Sequence, residues 1–175
     1  GSQVSLQVSL IAVAGAIVVG SVVGMVSGYA GGWVDDVIMR VIDAMIAFPG
    51  LILALGIVAV LGPTLVNAMI AITIVNIPNF ARLVRAQVLS IRHMDFVTAA
   101  RGLGVGPIPV MFRHIWPSLV GSVLVYASLS ASTALITESS LSFLGLGAQP
   151  STPSWGSMLS SGMQYWDAWW MSVFP

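Results

Sequence analysis

From Val4 to Tyr29 the chain carries no charge. About 20 helical residues suffice to cross a hydrocarbon core, so this run predicts a first membrane helix. Gly20, Gly24 and Gly28 recur every fourth residue, with Gly15 before them. That spacing lines one helix face and lets a second helix approach closely. Tyr29-Ala-Gly-Gly-Trp33 predicts a turn, after which Asp35 and Asp36 open a second helix at its N-terminal dipole. Asp36, Arg40 and Asp43 are spaced i, i+4, i+7 and read as an ion-paired stripe on one face. Pro49-Gly50 interrupts this segment, and apolar Leu51–Leu61 follows. Stretch 36–61 is therefore expected to be an amphipathic entry, a kink and a membrane-crossing half.

Pro63-Thr64 opens a third helix, with proline in the permitted first turn. Residues 65–81 are apolar apart from Asn67, Thr73, Asn76 and Asn79, and Asn76-Ile-Pro-Asn79 is expected to disturb the helix near its end. Leu119–Thr137 is the fourth apolar segment, ended by Glu138. From 139 to 175 Ser, Gly, Pro and aromatic residues dominate. Trp155, Trp166, Trp169 and Trp170 there suit a membrane–water interface.

Composition agrees with lipid as the main solvent. Of 175 residues 57% are hydrophobic and 7% charged, against about a quarter charged in soluble domains; mean hydropathy is +0.98. Segment 4–28 is too long for a signal-peptide core and has no basic stretch before it. There is no lysine, and five of the six arginines fall between Arg82 and Arg113. Cytoplasmic loops retain basic residues, so this loop sets the orientation. Helix three then ends inside, helix two runs outward, helix one inward and helix four outward, leaving 139–175 external. On that count the chain is expected to be cut from a larger membrane domain at both ends.

The loop reads Asp95-Phe-Val-Thr-Ala-Ala-Arg-Gly-Leu-Gly104, and Arg113-His-Ile-Trp-Pro117 follows after eight residues. Asp95 is a candidate N-cap, with Thr98 at the third helical position. Phe96, Val97, Ala100 and Leu103 give a short helix an apolar face, and Gly102, Gly104, Gly106 and Pro107 end it. Such a helix between two membrane spans is a surface for docking a soluble partner.

Ala99-Ala100, then Gly104, then Pro117 thirteen residues on, resembles the EAA loop of binding-protein-dependent ABC importer permeases. "GYAGGWVDDVIMRVIDAMIAFP" (28–49), "ARLVRAQVLSIR" (81–92), "DFVTAARGLG…RHIWPS", "ESSLSFLGLG" (138–147) and "PSTPSWGSML" (150–159) are similar to the dipeptide, oligopeptide and nickel branch. The resemblance implies an all-α polytopic helical bundle of the inner or plasma membrane of a prokaryote. Residues 1–175 would be one transmembrane domain of a six-helix permease, lacking its first and last helices. Within it, 93–114 would be the cytoplasmic coupling loop and 139–175 an external region. It further implies that Asp95, Phe96, Val97, Thr98, Ala99, Ala100, Arg101, Gly102, Leu103 and Gly104 dock an ATPase subunit. Thr98 stands where the motif carries glutamate, and Asp95 is the nearest acid. The implied partners are two ATPase subunits, a second homologous permease subunit, an external substrate-binding protein and the lipid bilayer, with no nucleic acid. ATP and Mg would be bound by the ATPase subunits and no cofactor by this chain.

An acid deep in a bilayer costs about 2.5–3.5 kcal/mol, so it usually faces a partner or a water-filled cavity. Asp43, Asn76 and Glu138 are accordingly candidates either for the substrate path or for structural polar contacts. Glu138 reads equally as the outer mouth of that path or as a group bonding the backbone of the Ser-rich turn after it. His93 and His114 flank the loop without a convergent third ligand, so metal ligation is not expected. No G-x-x-x-x-G-K-[ST] loop and no triad spacing occurs, which argues against an enzyme. Peptides are the favoured substrate. Nickel would need several imidazole or carboxylate ligands where the membrane segments hold few acids. A scaffold that uses the same loop as a passive docking site is the reading from another class.

Overall fold

The computed structural model describes residues 1–147, 152–165 and 169–174. Ser151 and Trp166, together with the start of the 150–159 motif, lie outside the described residues. All regular secondary structure among the described residues is helical: α1 (Ser2–Ala30), α2 (Gly32–Ile46), α3 (Gly50–Leu61), α4 (Leu65–Ile91), α5 (Asp95–Gly102), α6 (Pro107–Phe143), α7 (Trp155–Gly162) and α8 (Trp170–Val173). Helices α1, α4 and α6 are each long and apolar enough to cross a membrane, and the α2–α3 pair, bent by 90°, makes a fourth candidate span. At 1.5 Å per residue, α1 and α4 reach about 43 and 40 Å and overshoot a hydrocarbon core of about 30 Å.

The breaks between helices follow from local chemistry. α1 stops because Gly31 and Gly32 both take left-handed backbone, at φ 66 and 54, which L side chains rarely adopt. α2 stops before Pro49, since the residue preceding proline is pushed out of the helical region. The end of α3 is capped by Asn67, whose Nδ2 donates to the carbonyls of Leu61 at 2.8 Å and Gly62 at 2.9 Å.

Two prolines lie inside helices. The stretch Asn76-Ile-Pro-Asn79, expected to disturb the helix near its end, is accommodated within α4, which runs through Pro78 to Ile91. Pro117 lies within α6. The expected loop 93–114 is helical from Pro107 onward, and Val110–Ile115 forms a π turn leading into the rest of α6. A proline ring clashes with the carbonyl four residues back, here that of Arg113. Widening the turn to an i→i+5 pattern accommodates this, and Trp116 N–H accordingly donates to Met111. At the other end α6 runs past Glu138 to Phe143, so 139–143 belong to a helix and not to the loop region expected from 139.

By its contacts the chain divides into two compact units. One comprises 1–15, 48–75 and 129–175, the other 16–47 and 76–128. In the first, Val8, Ala12, Val58, Ala71, Ile72, Ala134 and Leu141 are buried. Thr73 Oγ1 donates to Ala12 O at 3.2 Å, and Trp155 N–H donates to Ser5 Oγ at 3.1 Å. Ser154 caps α7 reciprocally with Ser157. Trp169 and Trp170 are exposed and meet edge to face, their ring centroids 6.0 Å apart.

In the second unit α1 lies against α4 along its glycine face. A Cβ on Gly20 would sit 2.6 Å from Phe80 Cβ, one on Gly24 2.5 Å from the Ala81 carbonyl, and one on Gly28 2.9 Å from Val88 Cβ. The small-residue face predicted from the four-residue spacing is thus a packing face. Phe80 is fully buried and meets Tyr126 edge to face at 5.1 Å.

Candidate functional site

The surface of α5 is the candidate site, and it lies wholly within the second unit. Met94, not Asp95, is the N-cap. Asp95 takes the first helical position and Thr98 the fourth, and no side chain caps the helix. Asp95 in the first turn and Arg101 in the last still match the helix dipole. Gly104 ends the element with φ 79. Its N–H donates to Arg101 O at 2.9 Å, and Val105 N–H to Ala100 O at 3.1 Å. These two bonds make a Schellman closure, which needs a left-handed residue at Gly104.

The apolar residues of α5 do not share one face. Val97 is fully buried and Ala100 6% exposed, both turned into the chain's own packing. Phe96 and Leu103 point outward, the latter 85% exposed. Phe96, Ala99 and Leu103 follow the i, i+3, i+7 spacing and form one outward ridge, with Asp95, Thr98 and Gly102 exposed beside it. The sequence reading had grouped Val97 and Ala100 with the docking surface. Their seats inside the protein account for their size instead, and they anchor α5 to the chain.

Behind α5 lies an elbow made by the end of α1 and the start of α2. Arg85 on α4 grips Asp35 in a bidentate fork, Nε and Nη2 each 2.5 Å from a carboxylate oxygen. Ser27 Oγ donates to the same carboxylate, which is 8% exposed as a residue. Arg92 Nη1 donates to Gly28 O at 2.9 Å, and its Nε donates to His93 Nε2 at 3.0 Å. Arg101 stands over the ring of Tyr29, 4.6 Å from its centroid. Sequence reasoning missed this network, because it paired Asp36 with Arg40 along one helix. A usable signal was present: the glycine face that binds α1 to α4 also brings Arg85 and Arg92 to the end of α1.

Asp43 pairs with Arg82 at 2.5 Å rather than with Arg40, and its side chain is 61% exposed. It is therefore not an acid buried deep in the chain. Asn76 is buried in α4, two residues before Pro78. Glu138 falls in the other unit, is 1% exposed, and accepts from Ser142 Oγ at 2.7 Å. Ser139 Oγ donates to the other Glu138 carboxylate oxygen at 3.5 Å, so among the described contacts the partners of this acid are hydroxyls of the same helix. His114 lies in the π turn with its Nδ1 buried.

Residues 20–175 match the family described as binding-protein-dependent transport system inner membrane component. The chain belongs to this family. It is 46% identical over its full length to the dipeptide transport system permease protein of Alkalihalophilus pseudofirmus, covering 58% of that protein. Over 91% of its length it is 47% identical to the glutathione transport system permease protein of Escherichia coli, covering 53% of it. The glutathione permease protein of Pectobacterium atrosepticum is 41% identical over the same share. The chain spans little more than half the length of these relatives. As a member of this permease family it is a multi-pass inner-membrane protein of a prokaryote, and its helices are an all-α polytopic permease domain.

Proposed function

We propose that this permease-family chain is the transmembrane subunit of an ATP-driven importer. It forms half of the translocation pathway, and the substrates are di- or oligopeptides. The observation that carries the reading is α5: a short helix whose outward ridge of Phe96, Ala99 and Leu103 is offered to a partner while Val97 and Ala100 fix it from behind. In this reading the ridge sits on an ATPase subunit that binds ATP and Mg and hydrolyses the nucleotide. Two such subunits, a second homologous permease and an external substrate-binding protein complete the assembly. Thr98 is exposed at the position where the motif carries glutamate, so it would offer a hydroxyl where the motif offers a carboxylate. Each transport state must be favoured by differential contacts of nucleotide and binding protein, or no shift occurs.

Peptides are preferred over nickel because the relatives are named for dipeptide and glutathione, and glutathione is itself a tripeptide. The chain's two histidines both lie within 93–114. Reconstitution in vesicles with the partner subunits tests the proposal. Uptake of labelled dipeptide should require ATP and a loaded binding protein, and nickel uptake should be absent. An ATPase subunit that docks while loaded binding protein neither stimulates hydrolysis nor drives uptake would favour the passive scaffold.

A further inference from the structure

The elbow behind α5 has a construction that the docking ridge does not explain. Ser27 at the end of α1 and Asp35 at the start of α2 are joined across the turn by a hydroxyl–carboxylate bond, and Arg85 locks the carboxylate from α4. Arg92 holds the Gly28 carbonyl, one of the last in α1. A Cβ on Gly31 would lie 3.1 Å from the same guanidinium, so the turn is packed as well as bonded. These ties make the elbow a single stiff piece, in which α1 and α2 cannot shift separately. Only Arg101 links that piece to α5 by a charged side chain among the contacts described. A guanidinium within about 6 Å of a tyrosine ring is held by the ring's quadrupole, and its planar face stacks where an ammonium would not.

We propose that this elbow receives α5 movement alongside the π turn of α6 on which α5 packs, and that Arg101 is the positioning residue that passes it to the elbow through the face of Tyr29. The proposal rests on the importer reading above and names a route within it. Push or pull on the docking ridge displaces α5. Arg101 carries Tyr29 with it, and the locked turn delivers the displacement to α1 and α2 together. The competing role for Arg101, which lies on the exposed side of α5, is direct contact with the ATPase subunit.

The test uses Arg101→Ala, Arg101→Lys, Tyr29→Phe, Tyr29→Leu and the double variant Arg101→Ala with Tyr29→Leu, each in the assembled transporter in vesicles. Co-purification of the ATPase subunit and peptide transported per ATP hydrolysed are measured relative to wild type. Arg101→Ala and Tyr29→Leu should each lower transport per ATP by roughly five-fold, the fold-change a partly exposed cation–π contact carries. The double variant should be no worse than either single one. Tyr29→Phe keeps the ring and should stay near wild type, with Arg101→Lys between. All five should retain the ATPase subunit. Additive losses, equal damage from Tyr29→Phe and Tyr29→Leu, or loss of the ATPase subunit with Arg101→Ala would overturn the route. A wild-type assembly without nucleotide-dependent uptake would instead remove the importer reading itself.

Discussion

Glycines in this chain serve opposite purposes at different sites, and substitution separates them. At Gly24 an added methyl would meet the Ala81 carbonyl at 2.5 Å and Val84 Cβ at 2.9 Å. Alanine gains about 1 kcal/mol of helix propensity over glycine, while overpacking a tight contact costs about 1–3 kcal/mol. The clash involves backbone, which cannot rotate away, so Gly24→Ala should destabilise. Gly56, inside α3, has nothing within 4 Å of its Cβ position. Gly56→Ala should therefore raise the unfolding temperature in detergent while Gly24→Ala lowers it. Gly104 is a third case. Its surroundings are open, but φ is 79, so the cost of a side chain is backbone strain of about 1–2 kcal/mol. Gly104→Val should speed amide exchange across 99–105 and reduce transport, whereas Gly104→Asn, which tolerates left-handed backbone, should do less of both.

At the scale of the element, α5 shows where sequence reading succeeds and where it stops. The helix and its glycine stop were legible because eight residues from Asp95 and a left-handed Gly104 are local signals. Which side faced the partner was not legible. Phe96, Val97, Ala100 and Leu103 are all apolar, and only the packing of α5 on the π turn of α6 decides that Val97 and Ala100 turn inward. Pro78 and Pro117 show the same limit of local signals. Local propensity marks both as helix ends, but burial of Val84, Val88, Ile115 and Leu119 keeps the helices going through them. The network of Asp35, Arg85, Arg92 and Arg101 was hidden because its members lie up to 66 positions apart, from 35 to 101. Ala100→Trp should consequently unseat α5, seen as faster exchange over 95–105 even without a partner. Ala99→Trp should leave that exchange unchanged and block co-purification of the ATPase subunit. Ser90→Leu should do neither. If Ala99→Trp recovers the subunit as well as wild type does, the ridge is not the docking face.

For the whole molecule, the crowding of arginine between positions 82 and 113 predicts orientation. Ser90 and Gln164 are both exposed and lie beyond the ends of the long apolar runs. Cysteines placed there should react with a membrane-impermeant thiol reagent from opposite faces, Ser90→Cys from the cytoplasm and Gln164→Cys from outside. The native chain contains no cysteine, so the labelling has no background. Reaction of both from one face would reverse the assignment of helix directions.

The break at Pro49 also governs how the protein is made. α3 has 12 residues and spans about 18 Å, too little to bridge a hydrocarbon core of about 30 Å. α2 before it carries Asp35, Asp36, Arg40 and Asp43, which the insertion machinery would not release sideways into lipid unaided. Uncharged α3 and the long α4 are joined by only three residues, Gly62 to Thr64, a connection short enough for the two to enter the membrane together as a hairpin. The ion pair of Asp35 with Arg85 can form only after α4 has been synthesised, so during synthesis the charges of α2 precede the partner that neutralises them.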